Sequence, residues 1–421
     1  MNALANIENQ IKSFKQNSAL PAWAIQSSEM AIKQFKAIGL PTSKTEAWRF
    51  TPMTKALESQ LKLATSFEQS LKKYPNRLYF LNGKLISDSS NLPEEIEIKS
   101  MDEITQDEFR QFASAFTNEK NNPFISLNHV FLEHTYFIKL KRNHVYKKPI
   151  TFLYESKGES LAIYPQVYLI AQEGSQLTLV EKIVSNESGH FINSALNIDI
   201  KKNAKLIHLK NVLLAKEHII NTNTQAHVAR DAHYTSFLIS LSGKMVRHNL
   251  EISLNEAGAS AASFGLYALN NYEHLDNHTF IHHKAAHTQS EQLFKGILDD
   301  NSKGIFTGRI LVGKNAQQIN SSQLNKTLLL SKTAQSHSQP QLEIFADDVK
   351  CSHGSTTGQL SPDEIFYLQS RGIDINRAKQ ILSHAYLQEI LLKIDNKELA
   401  QELEQYVFEK FCQLQLGEVH A

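Results

Sequence analysis

The chain has 421 residues, 41% hydrophobic and 21% charged, with a net charge of +1. That balance argues against a nucleic-acid or membrane-surface protein, and the length allows two or three structural units with a sizeable core. Two cysteines, Cys351 and Cys412, do not make a disulfide scaffold. The first residues carry no apolar leader, and no run nears the ~20 apolar residues of a membrane span, so a reducing cytoplasm is the expected setting.

Residues 1–38 read as two helices. Ile7, Ile11 and Phe14 share one helical face, and Met30, Ile32, Phe35 and Ile38 form a second stripe that Gly39-Leu40-Pro41 ends. Thr42 to Phe50 reads as a short capped helix with Trp48 packed on a core. Leu78–Leu81 and Lys84–Ile86 flank Asn82-Gly83, a hairpin signal. A helix is expected from Glu103 to Phe116.

From about residue 125 helical periodicity gives way to short β-rich runs. Gly174-Ser175, Asn203-Ala204, Asp231-Ala232 and Gly258-Ala259 punctuate them at intervals of 29, 28 and 27 residues, each followed by an alternating run. One coil per interval suggests a β-solenoid, in which every coil buries its inner face on its neighbours. A sandwich or barrel is the alternative, but its turns should recur every 8–12 residues.

Two stretches inside this block invite a chemical reading. His274, His278, His282, His283 and His287 crowd EHLDNHTFIHHKAAH. On a helix, the i, i+4, i+8 spacing of the first three would suggest zinc. On a strand they become polar residues stacked on a solenoid face, the reading preferred here, with His278 and His282 still sharing a face. Gly308 to Asn315 nearly spells a phosphate loop, yet Asn315 replaces the hydroxyl that would hold magnesium and no helix follows, so a strand and turn are expected.

Residues 341–373 end the β block. Leu342, Ile344 and Ala346 alternate with Gln341, Glu343 and Phe345, and the chain then reaches Cys351 and His353. If it stays extended, that two-residue spacing sets thiol and imidazole on one face. Together they suit iron, zinc or copper, whereas a buried thiol and a surface imidazole would be the structural reading. An iron–sulfur cluster takes four protein ligands, mostly Cys, so this chain can supply half a site and no more. Ser361-Pro362-Asp363-Glu364 then caps a helix ending at Gly372, and two more helices follow. This tail either caps the solenoid's open end or docks a partner. Three regions result: 1–124 mixed and helical, 125–360 β, and 361–421 helical.

Three segments, PQLEIFADDVKCSHGSTTGQLSPDEIFYLQSRGI, HTFIHHKAAHTQSEQLFKGIL and GLPTSKTEAWRFTPM, resemble the SufB/SufD family of iron–sulfur cluster assembly proteins in the expected order, and the likeness covers most of the chain. The N-terminal segment and the few cysteines favour the SufD branch. The resemblance implies a right-handed parallel β-helix between helical regions. It implies a non-enzymatic scaffold that pairs with SufB through the β-helix and with the ATPase SufC through the tail, at Phe366, Tyr367, Leu368 and Arg371. It implies that His353, with Cys351 in the motif's thiol position, faces the partner at a nascent cluster shared between chains. A homodimer of the isolated chain is plausible by two-fold symmetry of related surfaces. The competing reading is a metal-dependent enzyme using the histidines between His274 and His287.

Overall fold

A computed structural model describes residues 3–59, 61–64, 74–86, 91–113, 122–184, 189–214 and 217–413. Helices α1 (Ala3–Asn17), α2 (Ala22–Ile38), α3 (Met53–Ala56), α4 (Gln106–Ala113) and α5 (Pro123–Val130) belong to the first part of the chain. Among them run β1 (Lys62–Leu63), β2 (Arg77–Leu81), β3 (Lys84–Leu85) and β4 (Ile96–Ser100). The continuous β region begins with β5 (Thr135–Leu140), β6 (Ile150–Glu155), β7 (Leu161–Ile163), β8 (Gln166–Ala171), β9 (Gln176–Val184) and β10 (Phe191–Ile200). It continues through β11 (Lys205–Leu214), β12 (Ile219–Val228), β13 (His233–Ser240), β14 (Met245–Leu254), β15 (Ser260–Leu269) and β16 (His274–His283). It ends with β17 (Gln289–Leu298), β18 (Lys303–Val312), β19 (Ile319–Leu329), β20 (Gln335–Ile344) and β21 (Val349–Gly358), before α6 (Pro362–Ser370), α7 (Ile375–Leu391) and α8 (Lys397–Gln413).

The expected solenoid forms, with about seven turns. One stack, even-numbered from β8 onward, has the order β20-β18-β16-β14-β12-β10-β8-β5-β4, and the other, odd-numbered from β9 onward, has the order β21-β19-β17-β15-β13-β11-β9-β6-β2-β3. Neighbours within each stack are parallel, save the β2–β3 hairpin at the Asn82-Gly83 turn and β4 against β5.

The repeat interval has a steric cause. Asn143, Gly174, Asn203, Asp231, Gly258, His287 and Gln318 all have positive φ, one at the same corner of successive coils. Only Gly, and to a lesser degree Asn and Asp, enters that region cheaply. At two of these corners glycine is also required for space, since a Cβ on Gly174 would strike the Asn143 side chain, and one on Gly258 that of Asp231. The next residue turns inward and is small and buried, as at Ser175, Ala204, Ala232 and Ala259.

One apolar core fills the space between the two stacks, from Leu78 and Phe80 to Ala334. Both faces of β10 and β12 are buried almost throughout, because α1, α2 and α5 cover the outer face of the even stack near Phe191 and Ile219. The outer face of the odd stack is covered by the tail. Leu387, Ile390, Leu391, Leu403, Val407 and Phe411 pack on Val180, Leu209, Phe237, Phe264 and Leu293. Helices α7 and α8 therefore lie along the flank, not across the open end. Buried Lys295 fastens them there, donating to the Tyr386 carbonyl (2.7 Å) and pairing with Glu389 (2.6 Å).

Three expectations change in detail. The strand expected through Ala346 stops at Ile344, and a corner separates it from β21. Helix α4 covers Gln106–Ala113, and Phe116 lies outside the described residues. The segment around Trp48 is a single 3-10 turn, Glu46–Trp48, with Trp48 buried as expected. The near-phosphate loop is strand β18 and its turn, also as expected.

Candidate functional site at the open end

The solenoid has two different ends. At the first, the two stacks end in antiparallel strands, β4 against β5 and β3 against β2. At the other, β20 and β21 each pair on one side only, and neither contains a buried residue. Exposed Ile344 and Phe345 sit at the corner between them.

Cys351 and His353 lie on β21, in register with Ser321 and Gln323 of β19. Both therefore take the face that turns toward the solenoid interior. Cys351 is half-buried against the last part of the core, and burial pushes its thiol up. Binding a metal would require loss of that proton. His353 is exposed. Behind them Ser355 Oγ donates to Ser338 Oγ (2.8 Å), and Asn325 Nδ2 donates to the same oxygen (2.9 Å), tying the two edge strands together. The expected pairing of thiol and imidazole on one face is present, at an uncovered edge.

Helix α6 follows β21 after three residues. Ser361 Oγ accepts from the Glu364 N–H (3.4 Å) with Pro362 in the first turn. No residue of α6 is buried. Phe366 is 71% exposed and Tyr367 55%, with the Arg371 guanidinium 4.6 Å from the Tyr367 ring. Leu368 is half-buried.

The histidine row is split by strand geometry. On β16, His274, His278 and His282 face outward with Asp276, while His283 faces inward between Thr288 Oγ1 (2.7 Å) and Ser290 Oγ (2.9 Å). His287 is a corner residue. His278 and His282 share a face but stand roughly 13 Å apart along the strand, too far for one ion. Among the described residues no group of three His, Cys, Asp or Glu side chains is placed to hold a metal.

Sequence reasoning missed two charged clusters. Outside the even stack, Arg247 pairs with Asp276, its register neighbour, beneath the Trp48 ring (3.9 Å). Thr51 Oγ1 also donates to Asp276, and Phe50 stacks on His337 of edge strand β20 (4.4 Å). The 39–53 segment is thereby strapped across four coils, from β14 to β20. Inside the solenoid, Glu181 Oε2 lies 2.7 Å from His208 Nε2 and 3.0 Å from Lys210 Nζ, and all three are buried. Burial alone would lift the Glu181 carboxyl, but Lys210 and His208 outweigh it and hold the group at about 2. The register of 26–29 residues that builds both clusters was visible only as a repeat interval.

Comparison with known proteins follows this architecture. Residues 152–386 match the model described as SUF system FeS cluster assembly, SufBD core domain, and residues 8–152 match the SufBD protein N-terminal region. The chain is 30% identical to the iron–sulfur cluster assembly protein SufD of Escherichia coli K12, over 89% of this chain and 90% of that one. It is 28% identical to a SufBD family protein of Synechocystis, over 88% and 87% respectively. It is 27% identical to the chloroplastic protein ABCI7 of Arabidopsis thaliana, over 93% and 86%. With both family models matched in order along the chain, it belongs to the SufBD family of iron–sulfur cluster assembly proteins.

Proposed function

We propose that this chain is a non-catalytic scaffold subunit of the SUF machinery that completes its site only against a partner. The observation that carries the reading is the uncovered last coil with Cys351 and His353 on it. An open solenoid end offers two rows of unpaired backbone groups, which a second solenoid of the SufB type can continue. In that pairing His353, with Cys351 beside it, supplies part of the ligand set of a nascent iron–sulfur cluster, which is cargo and not a resident cofactor. The partner supplies the rest, since two cysteines cannot hold a cluster. Exposed Phe366 and Tyr367, with Arg371, form the surface offered to the ATPase SufC. A homodimer through the same edge is the form expected of the chain alone.

Anaerobic cluster reconstitution tests this. The complex with the SufB-type and SufC-type partners should assemble with His353→Ala as with wild type, but its bound iron should fall. Unchanged iron in an intact complex would remove His353 from the chemistry and leave the chain as a structural bridge.

A further inference from the structure

The two edge strands at the open end differ in a way the fold does not require. The chain has ten prolines, and among the described residues Pro340 alone stands inside a strand, near the middle of β20. A strand paired on both sides needs its backbone N–H groups, so a proline there costs a ladder hydrogen bond. An edge strand tolerates one where the missing N–H would point away from the neighbour.

The register shows which way Pro340 points. The Gln335 N–H donates to the Ser302 carbonyl and the Phe345 N–H to the Val312 carbonyl, both on the β18 side. Backbone groups alternate sides along a strand. Odd-numbered residues of β20 therefore face β18, and Ser336, Ser338, Pro340, Leu342 and Ile344 face the open edge. On β19, the N–H groups of Asn320 and Leu330 donate back to Thr288 and Leu298. Lys350 is the register partner of Asn320, so even-numbered residues of β21 face β19 in the same way. Cys351, His353, Ser355 and Thr357 thus turn backbone donors and acceptors to the open edge without a break. The matching row on β20 lacks its central donor, and the pyrrolidine ring stands in its place.

We infer that Pro340 selects the partner at this end: it disfavours joining to a second copy of this chain over joining to a solenoid whose own edge has a donor at every position. This rests on the end-to-end pairing proposed above and names the kind of edge that fits. Any two-fold joint between two copies contains both β20 strands, whichever strands they meet. A copy therefore brings a second Pro340, so two acceptors in the joint lose their donors and two rings crowd it. A partner with an uninterrupted edge meets the ring once, and its strand laid on β21 does not meet it at all. Within the chain the proline breaks no ladder bond, because its nitrogen faces away from β18.

Sedimentation equilibrium of the isolated full-length chain tests this. Pro340→Thr restores the N–H on a strand-forming residue. It should tighten self-association by about tenfold or more, since two hydrogen bonds are regained, and binding to the SufB-type partner by only about threefold. Self-association that is unchanged or weaker, or a gain no larger than that for the partner, overturns the inference. Ser355→Pro puts the same obstruction on the β21 edge and should loosen self-association relative to Ser355→Ala, which removes the hydroxyl alone. If Pro340→Thr does not fold, equal self-association of these two variants overturns the inference instead. Iron loading separates it from the functional reading. Normal loading in the His353→Ala complex beside tightened self-association of Pro340→Thr would sink the site and leave the edge selection standing. Lost iron beside unchanged self-association would do the reverse.

Discussion

The two ends of the solenoid interior solve one problem in opposite ways. Toward the closed end the inward charged groups and His248 are paired, although the hydroxyls of Ser175 and Ser194 are not: Glu181 serves His208 and Lys210, Lys210 reaches Thr224 (2.9 Å), and His248 sits between Thr222 (2.8 Å) and Ser240 (2.9 Å). Near the open end the inward groups are neutral amides with atoms left over, at Asn277, Gln292, Gln323 and Asn325. The same ladder positions recur from coil to coil, so the difference is not imposed by the fold. A polar network stabilises only when every member is paired. The charged cluster is paired within the chain, and the open end keeps unpartnered amides close to its uncovered edge strands.

The comparison can be broken most sharply at Glu181. Glu181→Ala leaves Lys210 and His208 buried without their anion and should cost about 3–5 kcal/mol in urea denaturation. Gln323→Met, removing an equally buried polar group at the other end, should be neutral or stabilising. Similar losses for both would mean the ends are energetically alike.

A second, smaller effect should appear with acid. Burial holds His248 at about 3 and His274 and His283 at about 4. In the unfolded chain each takes its proton near the ordinary ~6.5. The unfolded state therefore binds more protons between these values, so stability should be full above about pH 6.5 and fall as pH drops toward 4, by up to roughly 1.4 kcal/mol per histidine per pH unit. Denaturation midpoints at pH 7, 5.5 and 4.5 check this. A flat profile would show that these rings take up protons in the fold as readily as in the unfolded chain.

The smallest effect belongs to α6. Phe366→Ala removes a ring that packs on no core and should change stability by less than about 0.5 kcal/mol. Thermal denaturation of the isolated chain would expose any hidden packing as a larger loss.

How much of this was legible depends on which physical rule each residue obeys. Corners were readable because left-handed backbone is nearly confined to Gly, Asn and Asp. Extending the interval from Gly258 by 29 residues lands on His287, which the histidine-rich string had disguised as part of a cluster. The pairing of Cys351 with His353 on one face was readable from strand alternation, and the Ser361 cap from its residue types. Facing was not readable where both sides of a strand are covered. In β10 and β12 the alternation disappears, so nothing local marks the inside from the outside. Arg247 and Asp276 lie 29 positions apart, and Glu181 and Lys210 likewise; each looks unremarkable until the coils are set in register. The lie of α7 and α8 along the flank was equally hidden, since an apolar helical stripe does not name the surface it covers.

The antiparallel strands β4 and β3 make one end of the solenoid a different template from the other. Stacked coils are an open template, and a solenoid exposed at both ends could add copies without limit into a filament. Here one terminus of the stack runs against the others and offers no continuing parallel edge. An antiparallel terminus does not present the parallel register that a further coil would continue, so the two ends of this solenoid are not interchangeable templates.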